Sequence, residues 1–134
     1  MSVFVDTSAF YAVFDADDGD HPRAREVWER LVPAEDLLFT SNYVLVETLA
    51  LLQARLGIEA VRAFDDAVSP LLRVLWVDRN AHREAVAAVL TAGRRKLSLV
   101  DCSSFALMRG HGLDTVFAFD EHFPEQGFTT VPGT

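Results

Sequence analysis

A single cysteine, Cys102, stands among the 134 residues, so the chain forms no internal disulfide and lacks the thiols of a cysteine-rich zinc site. That usage fits a reducing compartment. Glycine and proline are sparse, at 7 and 5 residues, and no stretch is low in complexity, which excludes fibrous and disordered classes. No apolar run approaches the roughly 20 residues needed to cross a bilayer. The start, MSVFVDTS, has neither the basic opening nor the apolar centre of a signal peptide. A cytoplasmic protein without membrane association is therefore expected. Positive charge is also scarce: 12 Lys and Arg against 20 Asp and Glu leave a net charge of −8. This argues against a broad basic face of the kind that grips phosphate backbones. The objection weakens if the acids gather where divalent cations neutralise them, because a bound ion is then the largest local charge.

What is present is half hydrophobic, enough for one compact core and one domain spanning 1–134. Val3-Phe4-Val5 is a short apolar run ending at Asp6, with Thr7 and Ser8 placed to cap a following helix. Ala24, Val27, Trp28 and Leu31 recur at helical spacing over 20–32. Leu37 to Thr40 reads as a strand, and Ser41 or Asn42 caps a long apolar helix that Gly57 stops near Leu56. A helix over 58–69 is broken at Pro70, and Val74-Leu75-Trp76-Val77 reads as a buried strand closed by Asp78. Helical spacing returns from Arg79 to Gly93, followed by the basic run Arg94-Arg95-Lys96. Ser98 and Asp101 have capping-box spacing, which puts Asp101 in the first turn of a helix ending near Gly110 or Gly112. Thr115 to Phe119 is a fourth strand ending at Asp120, and Phe128 to Val131 a fifth at an edge. Continuously apolar strands alternating with helices predict an α/β fold whose parallel sheet is covered on both faces.

Ligands of open parallel sheets lie outside the carboxyl ends of the strands, where Asp6 and Asp120 stand. Glu47 is flanked by Val44, Leu45, Val46, Leu49, Ala50, Leu51 and Leu52, which leaves hardly a polar stripe for it. An ionised carboxylate in such surroundings needs a partner or a cation. Asp101 also lies among apolar neighbours. Taken singly, Asp6 is explained as a strand-end acid that stabilises the next helix N-terminus, Asp101 as the capping-box partner of Ser98 and Asp120 as the start of a turn. Taken together, converging carboxylates repel by about 4 kcal/mol per pair at ~4 Å and need protons or metal to coexist. Oxygen-only ligands without His or Cys select Mg²⁺ or Mn²⁺ over zinc. Such an ion lowers the pKa of a bound water and suits phosphodiester hydrolysis. Arg94, Arg95, Arg109 and His111 are candidates for guiding a phosphate backbone. His21, His82 and His122 share no ligand spacing and are expected at the surface or in caps, and Cys102 is expected as a packed side chain.

The segments VFVDTSAFYA, SNYVLVETLALL, LSLVDCSSFALMRGHG and VFAFDEHF resemble, in order and over nearly the whole chain, the four motif regions of the PIN family. More narrowly, they resemble the VapC-type toxins of toxin-antitoxin pairs. The resemblance implies a Rossmann-like three-layer α/β/α sandwich with a central parallel sheet. It also implies metal-dependent cleavage of single-stranded RNA, a homodimer and a small antitoxin partner. The four acidic positions of the family fall on Asp6, Glu47, Asp101 and Asp120. Thr7 matches the hydroxyl residue that follows the first acid, which the resemblance places near a metal-bound water or phosphate. Some relatives carry a further acid beyond the fourth; here the stretch reads Glu121-His122-Phe123. A phosphoaspartate receiver lacks support, since it wants paired acids after the first strand, and a haloacid-dehalogenase-like phosphatase wants Asp-x-Asp where Ser8 stands. A flap-type DNA nuclease needs helical insertions absent here. An RNA-processing nuclease outside toxin-antitoxin pairs, or a PIN-like binding module, remains as an alternative.

Overall fold

In the computed structural model, which describes residues 1–133, the chain alternates strands and helices. The elements are β1 (Ser2–Val5), α1 (Thr7–Phe14), α2 (His21–Leu31), β2 (Leu37–Ser41), α3 (Asn42–Leu56), α4 (Ile58–Ala63), β3 (Leu72–Leu75), α5 (Arg79–Ala92), α6 (Leu99–Gly110), β4 (Thr115–Phe117), α7 (His122–Glu125) and β5 (Thr129–Val131). The five strands form one sheet in the order β3-β2-β1-β4-β5, and every neighbouring pair is parallel. The helices complete a three-layer α/β/α sandwich. The sequence starts at the centre of the sheet, builds outward to β3, then returns to the other side of β1 as β4. The crevice where the order reverses therefore opens at the carboxyl ends of β1 and β4.

The central strand explains the depth of the core. Val3, Phe4 and Val5 are all fully buried, as a strand covered on both faces requires. Around them pack Phe10, Leu31, Val44, Leu52, Phe64, Met108, Val116, Phe117 and Phe123. Caps set the helix starts. Ser41 Oγ accepts the Val44 N–H at 3.1 Å, Asp78 caps α5, and Ser98 with Asp101 forms the expected capping box on α6. Gly57, at φ 92°, and Gly93, at φ 61°, end α3 and α5 in backbone conformations that disfavour a side chain.

Four local expectations change. The cap of α1 is Asp6 itself, whose carboxylate accepts the Ser8 N–H at 3.1 Å; neither Thr7 nor Ser8 caps it. The third strand lies at Leu72–Leu75, two residues earlier than expected, and it is an edge strand. Trp76 consequently falls beyond its end and is 71% exposed rather than buried. The helix expected over 58–69 keeps α-helical form only to Ala63, then widens into a π turn over Phe64–Val68 and tightens to a 3₁₀ turn at Ser69–Leu71. The widened stretch buries both Phe64 and Val68. Finally, β4 stops at Phe117, and a short helix, α7, intervenes before β5.

Candidate active site

Asp6 leaves β1 directly into the crevice. Its backbone N–H donates to Phe117 O at 3.0 Å, which ties the ends of β1 and β4 together. Its Oδ2 accepts from the Ser8 N–H at 3.1 Å and from the Ser8 hydroxyl at 2.7 Å. The same Ser8 Oγ accepts the Phe119 N–H at 2.9 Å, so Ser8 joins Asp6 to the segment that carries Asp120. Asp6 is buried. Loss of hydration lifts its carboxyl from 3.8 to about 7, against the opposing bonds from Ser8 and with added repulsion from Asp101 and Asp120.

Asp101 arrives from the first turn of α6. Its Oδ2 accepts the Ser98 N–H at 3.0 Å while the Asp101 N–H donates to Ser98 Oγ at 3.0 Å. The capping reading holds, and the same carboxylate lies close to Asp120 and His122. Burial raises its pKa first of all; Ser98 opposes the rise and the Asp120 charge adds to it. Asp120 follows β4 by three residues and is partly exposed, with Oδ1 accepting the His122 N–H at 2.9 Å.

His122 joins Asp101 and Asp120 in a cluster of three that does not include Asp6. Oxygens of Asp101 and Asp120 and a ring nitrogen of His122 all lie within 4.8 Å of one another. His122 is 8% exposed, not at the surface as expected, because the adjacent Phe123 is fully buried. Phe123 packs edge-on against Phe105 of α6, centroids 5.1 Å apart, which draws α7 down onto the helix that carries Asp101. The Asp-x-His spacing was the only available sign of this in the sequence, and it has no meaning until the turn after Asp120 is known.

Glu47 stands apart. It lies on α3 but is exposed, so the expectation of a carboxylate enclosed by apolar neighbours is corrected. Its neighbours in sequence do not enclose it because several are themselves on the open face of α3, Val46 at 69% exposure among them. The buried stripe of α3 is Val44, Thr48 and Leu52. Thr7 belongs to that stripe: its hydroxyl donates to Val44 O at 3.4 Å and accepts from Thr48 Oγ1 at 3.0 Å. Those bonds turn Thr7 toward α3, and Ser8 is the hydroxyl residue that touches Asp6. The Thr7 contact nevertheless docks α3 beside the start of α1.

The basic candidates are largely engaged. Arg94 pairs with Glu125 of α7 at 3.0 Å, and Arg109 donates to the Gln126 carbonyl and side chain while its guanidinium lies 5.1 Å from the Phe128 ring. Both brace the segment after Asp120. Arg95 and His111 are exposed. Cys102 is a buried free thiol, and burial raises its pKa, as suits a packed side chain. His21 bonds the Ala12 carbonyl and His82 the Tyr43 hydroxyl.

The chain as a whole is similar to known proteins. Residues 3–128 match the PIN domain family. The 23S rRNA-specific endonuclease VapC20 of Mycobacterium tuberculosis is 37% identical over 130 residues, covering 96% of this chain and 97% of that protein. The crystal structure of M. tuberculosis VapC20, described as a sarcin-ricin loop cleaving toxin, superposes with a TM-score of 0.83 at 36% identity, over 95% of this chain and 96% of that one. FitAcB from Neisseria gonorrhoeae shares the fold alone, with a TM-score of 0.67 at 17% identity over 97% of this chain and 96% of that one. The strand order, the acids at the strand ends and the match along almost the whole length give one conclusion: this chain belongs to the PIN domain family and, within it, to the VapC-type proteins.

Proposed function

We propose that this protein is an endoribonuclease that hydrolyses phosphodiester bonds in single-stranded or loop RNA, and that it acts as the toxin of a toxin-antitoxin pair. The observation that carries the reading is the close approach of Asp101 and Asp120 beside buried Asp6, whose ionisation they oppose, in a chain 37% identical to a 23S rRNA-specific endonuclease. A loop of ribosomal RNA is accordingly the first substrate to try. The residues suit Mg²⁺ or Mn²⁺. Asp101 and Asp120 raise the cost of ionising Asp6, and Asp120 raises that of Asp101; such carboxylates are stabilised together by a divalent cation. Asp6, Asp101 and Asp120 would hold the ion, and exposed Glu47 would contact the ion or orient water. When bound, the ion supplies Lewis acidity for phosphodiester hydrolysis. The chain's own part is to fix three carboxylates at strand and helix ends, to hold Asp6 against Ser8, and to close the floor with Phe117 and Phe123.

The partner reading extends from the family. Large exposed apolar side chains, among them Val46, Ile58, Trp76 and Leu90, support a homodimer and a small antitoxin protein as further contacts. No helix among the described residues is long and apolar enough to cross a membrane. Action on RNA in the cytoplasm, by one domain over the whole chain, completes the proposal. The test is incubation of the purified protein with total RNA and with ribosomal RNA, with Mg²⁺ or Mn²⁺ or with EDTA, followed by mapping of new 5′ ends. Discrete cuts that vanish with EDTA are expected. Intact RNA under every metal condition with folded protein would favour a binding module.

A further inference from the structure

His122 is the residue of the crevice that neither its sequence neighbours nor the four acidic positions explain. Its side chain is about nine-tenths buried, and its Nδ1 has no hydrogen-bond partner. That nitrogen lies 2.9 Å from Asp120 Oδ1 and 3.8 Å from Asp101 Oδ2, ion-pair distances for a protonated ring, with hydrogen-bond geometry to neither. Asp120 Oδ1 is occupied instead by the His122 backbone N–H, also at 2.9 Å. A buried polar atom left unpaired costs about 1–3 kcal/mol, so an orphan nitrogen aimed at two carboxylates calls for a partner. An imidazole nitrogen and carboxylate oxygens that converge within 4.8 Å make a donor set for a cation.

We infer that His122 Nδ1 is a ligand of the divalent ion, so that the centre has mixed oxygen and nitrogen donors and favours Mn²⁺ over Mg²⁺. This rests on the nuclease reading above and replaces the oxygen-only donor set expected from the sequence. The chemical reason is hardness. Mg²⁺ sheds water reluctantly and takes oxygen ligands, whereas imidazole suits later divalent metals, and affinity rises from Mn²⁺ along the first transition row. The position two residues after Asp120 is then a selector: a carboxylate there makes an all-oxygen centre and a histidine a mixed one. The short turn from Asp120 into α7 is what permits it. Phe123, fully buried on the next residue, fixes the ring's place, while Arg94 and Arg109 hold the ends of that segment.

The test is pulsed electron paramagnetic resonance of Mn²⁺ bound to the full chain, read for coupling to a coordinated nitrogen. Mn²⁺ and Mg²⁺ affinities are measured in parallel by calorimetry. His122→Asn and His122→Asp are compared with the unsubstituted protein, each checked for folding by circular dichroism. The nitrogen coupling is expected in the unsubstituted protein and absent in both variants. His122→Asp keeps Mn²⁺ binding, and its Mn²⁺-to-Mg²⁺ affinity ratio falls by roughly tenfold or more. Mn²⁺ bound without nitrogen coupling, at an affinity the Asp variant leaves unchanged, overturns the inference and leaves the carboxylate centre standing. Failure of the folded, unsubstituted protein to bind either ion overturns both.

Discussion

Ser8 and Asp6 carry the most information per residue. Asp6 titrates near 7 in the fold against 3.8 for the free side chain, so the folded state holds its proton more tightly than the unfolded one. Its contribution to stability is complete below about pH 4 and is lost as pH rises through 7. Ionised and metal-free, it then costs up to roughly 4 kcal/mol. Asp6→Asn keeps a good N-cap and removes that charge. In EDTA the variant should unfold at higher denaturant than the unsubstituted protein at pH 8, with the gap closing toward pH 4. Equal midpoints at pH 8 would show that Asp6 is not strained. Ser8→Ala strips Asp6 of a 2.7 Å bond and leaves the Phe119 N–H without its acceptor. The expected loss is about 1–3 kcal/mol in urea unfolding, with a further rise in the Asp6 pKa measurable by NMR titration.

The sequence revealed residues of this kind unevenly. An acid that ends an apolar strand is legible, and Asp6 directly follows β1; Asp120 lies three residues beyond β4, because the apolar run continues through Phe119 after the strand has ended. Asp101 was legible through Ser98, a local spacing that the fold realises atom for atom. Glu47 was misjudged in its surroundings because apolar neighbours in sequence do not enclose a residue on a helix whose outer face is itself apolar. His122 shows in the sequence only as an Asp-x-His spacing, which has no meaning before the turn is known. Its burial depends on Phe123 meeting Phe105 from another helix, a contact between residues 18 positions apart in sequence.

Among elements, the junction of α6 and α7 decides whether the carboxylates meet. Phe105, Phe123 and Phe128 form an aromatic cluster with centroid separations of 5.1, 5.9 and 6.3 Å. Phe123→Leu fills part of the space and Phe123→Ala empties it. The Ala variant should cost about 3–5 kcal/mol in chemical denaturation. The Leu variant, still folded, should weaken Mn²⁺ binding by loosening the turn that bears Asp120 and His122. Unchanged metal affinity in folded Phe123→Leu would separate the aromatic cluster from the site. The same element scale explains the misplaced third strand: β3 is an edge strand, so its apolar pattern reports one covered side only, and Trp76 continues the pattern past the last strand residue into solvent.

For the whole molecule, a net charge of −8 and a crevice of acids make ion binding a folding matter. Ligands that bind only the folded state stabilise it by mass action, about 2.7 kcal/mol at a concentration 100 times Kd. Thermal unfolding at pH 8 should therefore shift upward with Mn²⁺, and the shift should shrink toward pH 5, where Asp6 holds its proton and competes with the ion. A pH-independent shift would place the ion elsewhere. The parallel sheet and its strand order follow from alternation and continuous apolar runs, which is why the architecture was legible when several element boundaries were not. Exposure of Trp76, Leu90 and Val46 belongs to this scale as well, since only contacts with other chains give such side chains a burial that the single chain withholds.

The most direct test of the account is the single-turnover cleavage rate on one mapped RNA stem-loop, compared for the unsubstituted protein and for Asp6→Asn, Asp101→Asn, Asp120→Asn and Glu47→Gln in Mn²⁺. Each Asp variant should fold and cut at least about a hundredfold more slowly, with a smaller loss for exposed Glu47→Gln. A folded Asp6→Asn or Asp101→Asn that cuts at the unsubstituted rate would contradict the placement of the active site in this crevice.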